Sequence, residues 1–243
     1  MINHKKNSCT LSNNPVFIEL LGQPNYSTNP PAHPHRVLFA GWVPAGRDPH
    51  RDKRCLSPSV SWLGQDCGIQ TISCIRELSW EAETQMLVAN PLREYTLLHN
   101  HTLLPATTLT LDADQEQPLH LIGSETAMDL RVTFDLSNTT NSTFGIRVLG
   151  VLWTFTVSAP QQGRRMGRTR AGNFPLLPNE TSVTVRVMVD RSIVEFFAAK
   201  GRATDTIRAY PVTSQGVSLV SKGHTVQARV EAFEMGCGWE GQE

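Results

Sequence analysis

Residues 183–211, VTVRVMVDRSIVEFFAAKGRATDTIRAYP, allow this chain little besides β-structure. Val183, Val185, Val187 and Val189 alternate with Thr184, Arg186 and Met188, the period of a strand with one face in a core. After Asp190-Arg191-Ser192 the chain resumes with Ile193, Val194, Phe196 and Phe197, turns at Lys200-Gly201 and runs on through Thr204 to Tyr210. The expected result is a β-meander with a polar corner. On these residues alone that corner is either a site or a solvated turn.

The same regime of short strands begins after Pro105. Strands are expected at 107–111, 118–122, 127–136, 145–152, 154–157, 183–189, 193–197, 203–210, 217–221 and 225–235, separated by Gly, Asn, Pro or Ser. Many short strands without a long amphipathic helix indicate an antiparallel sandwich or barrel, and the one-sided burial of the valine series favours the sandwich. The basic, Gly-rich stretch 161–172 (QQGRRMGRTRAG) is expected to interrupt it as a mobile, solvated loop. Upstream, residues 1–35 are rich in Asn, Pro and Ser and read as mostly irregular. Residues 36–42 (RVLFAGW) read as a short buried strand, and 81–90 as a hairpin around Glu83-Thr84-Gln85. Residues 91–104 read as a connector, with Leu92, Tyr95 and Leu98 near helical spacing.

The 243 residues carry a formal net charge of +0, which favours neither nucleic acid nor an anionic membrane as a partner. No apolar run approaches the ~20 residues of a membrane helix. Five cysteines (Cys9, Cys55, Cys67, Cys74 and Cys237) are too few for a disulfide scaffold, and the odd count leaves one unpaired within the chain. No second ligand pair accompanies Cys67 and Cys74 at zinc spacing, so no metal or other cofactor is expected. Sequons at Asn25, Asn100, Asn138, Asn141 and Asn179 make these candidate glycosylation sites and favour a secreted or vacuolar ancestry, although the opening MINHKKNSCTLSNNP lacks a signal peptide's apolar core.

Four segments in order resemble the C-terminal portion of glycoside hydrolase family 32, the β-fructofuranosidases. RVLFAGW at 36–42 resembles a strand of the last propeller blade, and GIQTISCIRELSW at 68–80 is similar to the segment that follows it. TFGIRVLG at 143–150 resembles a sandwich strand, and VMVDRSIVEFFAAKGRATDTIRAYP at 187–211 resembles the family's sandwich signature. The resemblance implies an all-β chain: an antiparallel, lectin-like jelly-roll sandwich at 105–236 with a tail at 237–243, preceded at 36–90 by the last strands of an incomplete five-bladed β-propeller. It also implies a sucrose or fructan substrate for the full-length family, and a homodimer formed through the sandwich. Isolated blade strands lack partners at their edges, so the sandwich is expected to fold alone.

Family 32 hydrolysis, as the resemblance implies it, is retaining. A nucleophilic carboxylate from a W-x-N-D-P-N-G motif and an acid/base Glu from an E-C motif flank the bond, ~5 Å apart. Neither motif occurs in these 243 residues. Arg47-Asp48-Pro49 follows Gly41-Trp42 and reads as a coincidental tripeptide, not the family's R-D-P. No catalytic residue is assigned, and the chain is expected to be inactive alone; the alternative is a carbohydrate-binding or protein-interaction module.

The remaining candidates read as structural. Asp190 and Glu195 are at odd separation, which puts them on opposite faces of a regular strand, with Glu195 expected to pair with Arg202 or Arg208. Arg76-Glu77 is expected to form a pair where blade meets sandwich. His99 and His101 lack a third ligand and read as solvent-facing. Trp42 reads as core, and Trp62, in the 58–61 loop context, is the one candidate for stacking on a sugar ring.

Overall fold

The computed structural model describes residues 15–16, 36–43, 71–137, 139, 141–158, 165–209 and 216–236. Among them, β1 (Pro15–Val16), β2 (Val37–Val43), β3 (Thr71–Ile72), β4 (Arg76–Glu81) and β5 (Met86–Pro91) form an antiparallel sheet ordered β1-β2-β4-β5, with β3 also on β2. A 3-10 turn, Arg93–Leu98, follows. The chain then runs through β6 (His99–Leu111), β7 (Gln115–Leu119), β8 (Ala127–Asp135), β9 (Ser142–Val148), β10 (Val151–Val157) and β11 (Arg165–Thr169). It ends through β12 (Asn173–Leu176), β13 (Ser182–Asp190), β14 (Ile193–Ala198), β15 (Ala203–Arg208), β16 (Val217–Lys222) and β17 (Val226–Met235).

These later strands form two six-stranded antiparallel sheets, ordered β12-β11-β10-β9-β16-β7 and β15-β14-β13-β8-β17-β6. Their inner faces make one hydrophobic core, so the fold is an all-β antiparallel sandwich. Phe134 of the second sheet packs against Phe144 and Phe155 of the first, with ring centroids 5.5 and 5.6 Å apart, and Trp153 stacks on Phe196 at 5.2 Å. The valine series of β13 supplies Val183, Val185, Val187 and Val189 to this core as its alternation requires.

Several boundaries differ from the sequence expectation. The break expected near Trp153 falls instead at Leu149-Gly150, where φ is +48° and +75°. Both central residues of this tight hairpin are left-handed, and a leucine there conceals the turn from composition. The stretch expected as a loop at 161–172 contains β11, because Gly167 lets the Phe174 ring lie where a Cβ would stand. The expected strand 107–111 begins at His99, inside the segment read as a connector. Pro105 is tolerated within it because β6 is an edge strand, and Pro118 likewise sits in the edge strand β7.

Candidate functional site

The outer face of the second sheet carries three clusters of buried or half-buried charged side chains. Register alone places two of them there: Glu231, Arg131, Arg186 and Phe197 form one row across β17, β8, β13 and β14, and Phe233, Asp129, Met188 and Glu195 form the next. In β14 every residue is buried. Its inner side faces the core, and its outer side is covered by the smaller sheet.

Glu195 is the centre of that cover. Its Oε1 accepts the Cys74 backbone N–H at 2.5 Å, while its Oε2 accepts Arg76 Nη2 at 2.5 Å and the Thr206 hydroxyl at 3.3 Å. The Arg76 guanidinium lies 5.0 Å from the Phe197 ring centroid. Both charged side chains are more than nine-tenths buried, so the pair is shielded from water and salt. Burial pushes the neighbouring Cys74 thiol well above its ordinary pKa, and the Glu195 charge adds to the effect. Burial also raises Tyr95 to about 12, while its hydroxyl accepts the Ile75 N–H at 2.8 Å.

A second clasp lies at the β14–β15 turn. Ala199, Lys200 and Gly201 are all left-handed, which brings Gly201 O to the Ala89 N–H at 3.1 Å. A Cβ at Gly201 would stand 2.5 Å from Ala89 O, so only glycine fits. Arg202, whose side chain is fully buried, bonds Glu180 through Nη1 at 2.8 Å and through Nη2, and its Nε lies 3.1 Å from Glu81 Oε2 without hydrogen-bond geometry.

Asp129 anchors a third cluster. Its carboxylate is fully buried and accepts Arg186 Nε at 2.8 Å and Nη2 at 2.7 Å, His99 Nε2 at 2.8 Å and Arg131 Nη2 at 3.3 Å. Desolvation pushes this carboxyl up, but the bonds and charge of Arg186 and the bond from His99 more than offset it, leaving the pKa below the usual carboxylate value. His99 also stacks on Phe233 at 4.2 Å.

These contacts correct the sequence reading. Asp190 and Glu195 share the outer face, because a hairpin turn between them pairs Asp190 with Ile193 and Met188 with Glu195. Glu195 pairs with Arg76 rather than Arg202 or Arg208, and Glu77 pairs with Arg36 at 2.7 Å rather than with its neighbour. His99 is held by Asp129 instead of facing solvent, whereas His101 is exposed. Trp62, Asn25, Asn138 and Arg47-Asp48-Pro49 lie outside the described residues. Asn100, Asn141 and Asn179 are exposed. Among the described residues, no group of three His, Cys, Asp or Glu side chains is placed to hold a metal ion, and no helix is long and apolar enough to cross a membrane. The only sequence signal for these clusters was the presence of charges at outward strand positions, which ordinarily marks a solvated face.

A cavity of about 620 Å³ opens between the smaller sheet and this face, lined by Cys74, Tyr95, Met188, Asp190, Glu195 and Met235 among others. Both oxygens of Glu195 are occupied, so it is a structural clasp and not a free acid or base beside Asp190. Fold and clasp together define a β-sandwich joined through buried charge pairs to a smaller antiparallel sheet. The profile described as glycosyl hydrolases family 32 C terminal matches residues 96–235, more than half of the chain, and the chain belongs to that family.

Solved structures agree in fold. Fructan 1-exohydrolase IIa from Cichorium intybus is 17% identical, with a TM-score of 0.65 over 83% of this chain and 46% of that one. The exo-inulinase of Aspergillus awamori is 16% identical, with a TM-score of 0.57 over 84% and 41%. The fructosyltransferase of A. japonicus is 14% identical, with a TM-score of 0.56 over 86% and 41%. The present chain thus spans less than half the length of each. A search of curated proteins gives no match.

Proposed function

We propose that this chain is the non-catalytic, sandwich-bearing portion of a β-fructofuranosidase-type enzyme, packing against a catalytic portion that supplies the carboxylates. One observation carries this reading: the face of the smaller sheet that holds Arg76 is covered by β14 at that end, but from Val37 and Leu78 outward it carries an exposed apolar patch with nothing upon it among the described residues. Trp80 and Leu87 are direct cross-strand neighbours, 63% and 61% exposed, and Val37, opposite Leu78 on the same face by alternation, is 52% exposed. Such a patch is normally covered by another element. The missing W-x-N-D-P-N-G and E-C motifs, and the commitment of Glu195 to Arg76, agree with a supporting role.

The purified chain, incubated with sucrose or inulin, is expected to release no fructose; release above a no-protein control would sink the proposal. Calorimetry separates it from the alternative of a sugar-binding module, since saturable heats with sucrose or inulin and no turnover would favour the module.

A further inference from the structure

Asn100, Asn141 and Asn179 are all exposed, so exposure does not choose among these sequons. Their surroundings do. Asn100 lies within β6, with its Cβ 3.7 Å from where a Cβ on Gly236 would stand. Asn141 is left-handed at φ +53° and is already engaged by a neighbouring group. Asn179 sits exposed at the tip of the β12–β13 turn, and among the described residues it is not one with a bonded partner. That turn is firmly held: Glu180 N–H donates to Leu177 O at 3.0 Å, Leu177 N–H donates to Glu180 Oε2 at 2.9 Å, and Arg202 grips the same carboxylate. Beside it is a shallow groove of about 410 Å³ whose lining includes Glu83, Thr181, Ser182, Thr184 and Lys200. These carboxylate, hydroxyl and ammonium groups supply both acceptors and donors to a sugar's hydroxyls.

We propose that Asn179 is an N-linked glycan acceptor and that the first sugars of its glycan lie in this groove, over Lys200. In the transfer, the Asn179 amide nitrogen forms a bond to the anomeric carbon of a lipid-linked oligosaccharide. The sugar–phosphate bond breaks, the amide gives up one proton, and the lipid pyrophosphate leaves. The Asn-x-Thr pattern supplies the acceptor; the rigid turn presents it outward, and the groove receives what is attached.

The full chain, given an added leader and translated with microsomes, tests the acceptor. A glycosidase-sensitive step in mass is expected that Asn179→Gln and Thr181→Ala each reduce by one glycan. Thr181→Ala keeps the asparagine, so loss in both variants identifies the sequon rather than a folding defect. Equal mass in wild type and both variants overturns the assignment. The placement has its own readout, because the Lys200 ammonium is exposed and open to an amine-acylating reagent. Acylation of the Lys200 amine, followed by peptide mass, is expected to be several-fold slower in the glycosylated chain than after enzymatic removal of the glycan. Equal rates overturn the placement while leaving the acceptor standing.

Discussion

The two faces of the second sandwich sheet are buried by different chemistry. The inner face is closed by Phe134, Phe196 and the β13 valines against Phe144, Trp153 and Phe155, contacts that need shape but no particular partner. The outer face is closed by Arg76–Glu195, Arg202 with Glu180 and Glu81, and the Asp129 cluster, in which each member depends on another at a fixed distance. The inner face therefore belongs to the sandwich itself, whereas the part of the outer face over β14 and β15 is shared with the smaller sheet. Removing one partner of a buried pair leaves an uncompensated charge, so that shared region is where the molecule is least tolerant of being divided.

The strongest way to break this comparison is to divide the chain there. A chain beginning at residue 99 loses Arg76 and Glu81, stranding Glu195, uncovering Phe197 and depriving Arg202 of one of its two carboxylates. It is expected to melt well below a chain beginning at residue 71, because it combines a lost buried pair with lost apolar cover. Equal melting temperatures would show that the sandwich is self-sufficient and that the clasp contributes nothing. Next in size is Phe155→Ala, which empties the centre of the inner core and is expected to cost about 3–5 kcal/mol, read from the denaturant midpoint. Glu195→Gln keeps the shape but strands the Arg76 charge, at an expected cost of about 3 kcal/mol. Adding Arg76→Met should recover part of that loss. Full additivity of the two changes would mean that the two residues do not act as a pair.

This contrast also explains what the sequence disclosed. The valine alternation, the β4–β5 hairpin and most strands from 127 onward could be read because period and turn residues are local. Leu149 and Pro105 misled because a left-handed leucine and an edge-strand proline are permitted by neighbours that the local sequence does not reveal. The clasp was harder still: Arg76 and Glu195 are 119 residues apart, and outward charges in strands look alike whether water or another sheet covers them. Asp190 and Glu195 fall on opposite faces only if they share one regular strand, and the hairpin between them puts both on the outer face. The exposed apolar patch at Trp80 and Leu87 is likewise invisible in the sequence, because exposure is decided by what packs upon a strand and not by the strand itself.

Acid separates the clusters further. The Asp129 carboxyl is depressed in the folded state, so its contribution is present above its unfolded pKa of about 3.9 and is lost as pH falls through the lower folded value. Stability is expected to decline below about pH 4, and Asp129→Asn should flatten that part of the profile while lowering stability at neutral pH. An unchanged slope in the variant would assign the acid loss to other carboxylates.

The smallest expected effect comes from a pair that looks comparable by distance alone. Arg147 Nε lies 2.7 Å from Glu116 Oε1, and the bonds from Arg147 and Ser218 pull the Glu116 carboxyl down to about 2. The Glu116 side chain is 40% exposed, however, so water and salt screen the attraction, and ordering two long side chains offsets much of what remains. Glu116→Gln is accordingly expected to cost less than about 1 kcal/mol at low ionic strength and still less at high salt. Glu195→Gln should keep nearly all of its effect in salt, because its partner is shielded by Phe197 and the smaller sheet. If both variants responded to salt alike, burial would not be what distinguishes the clasp from an ordinary surface pair.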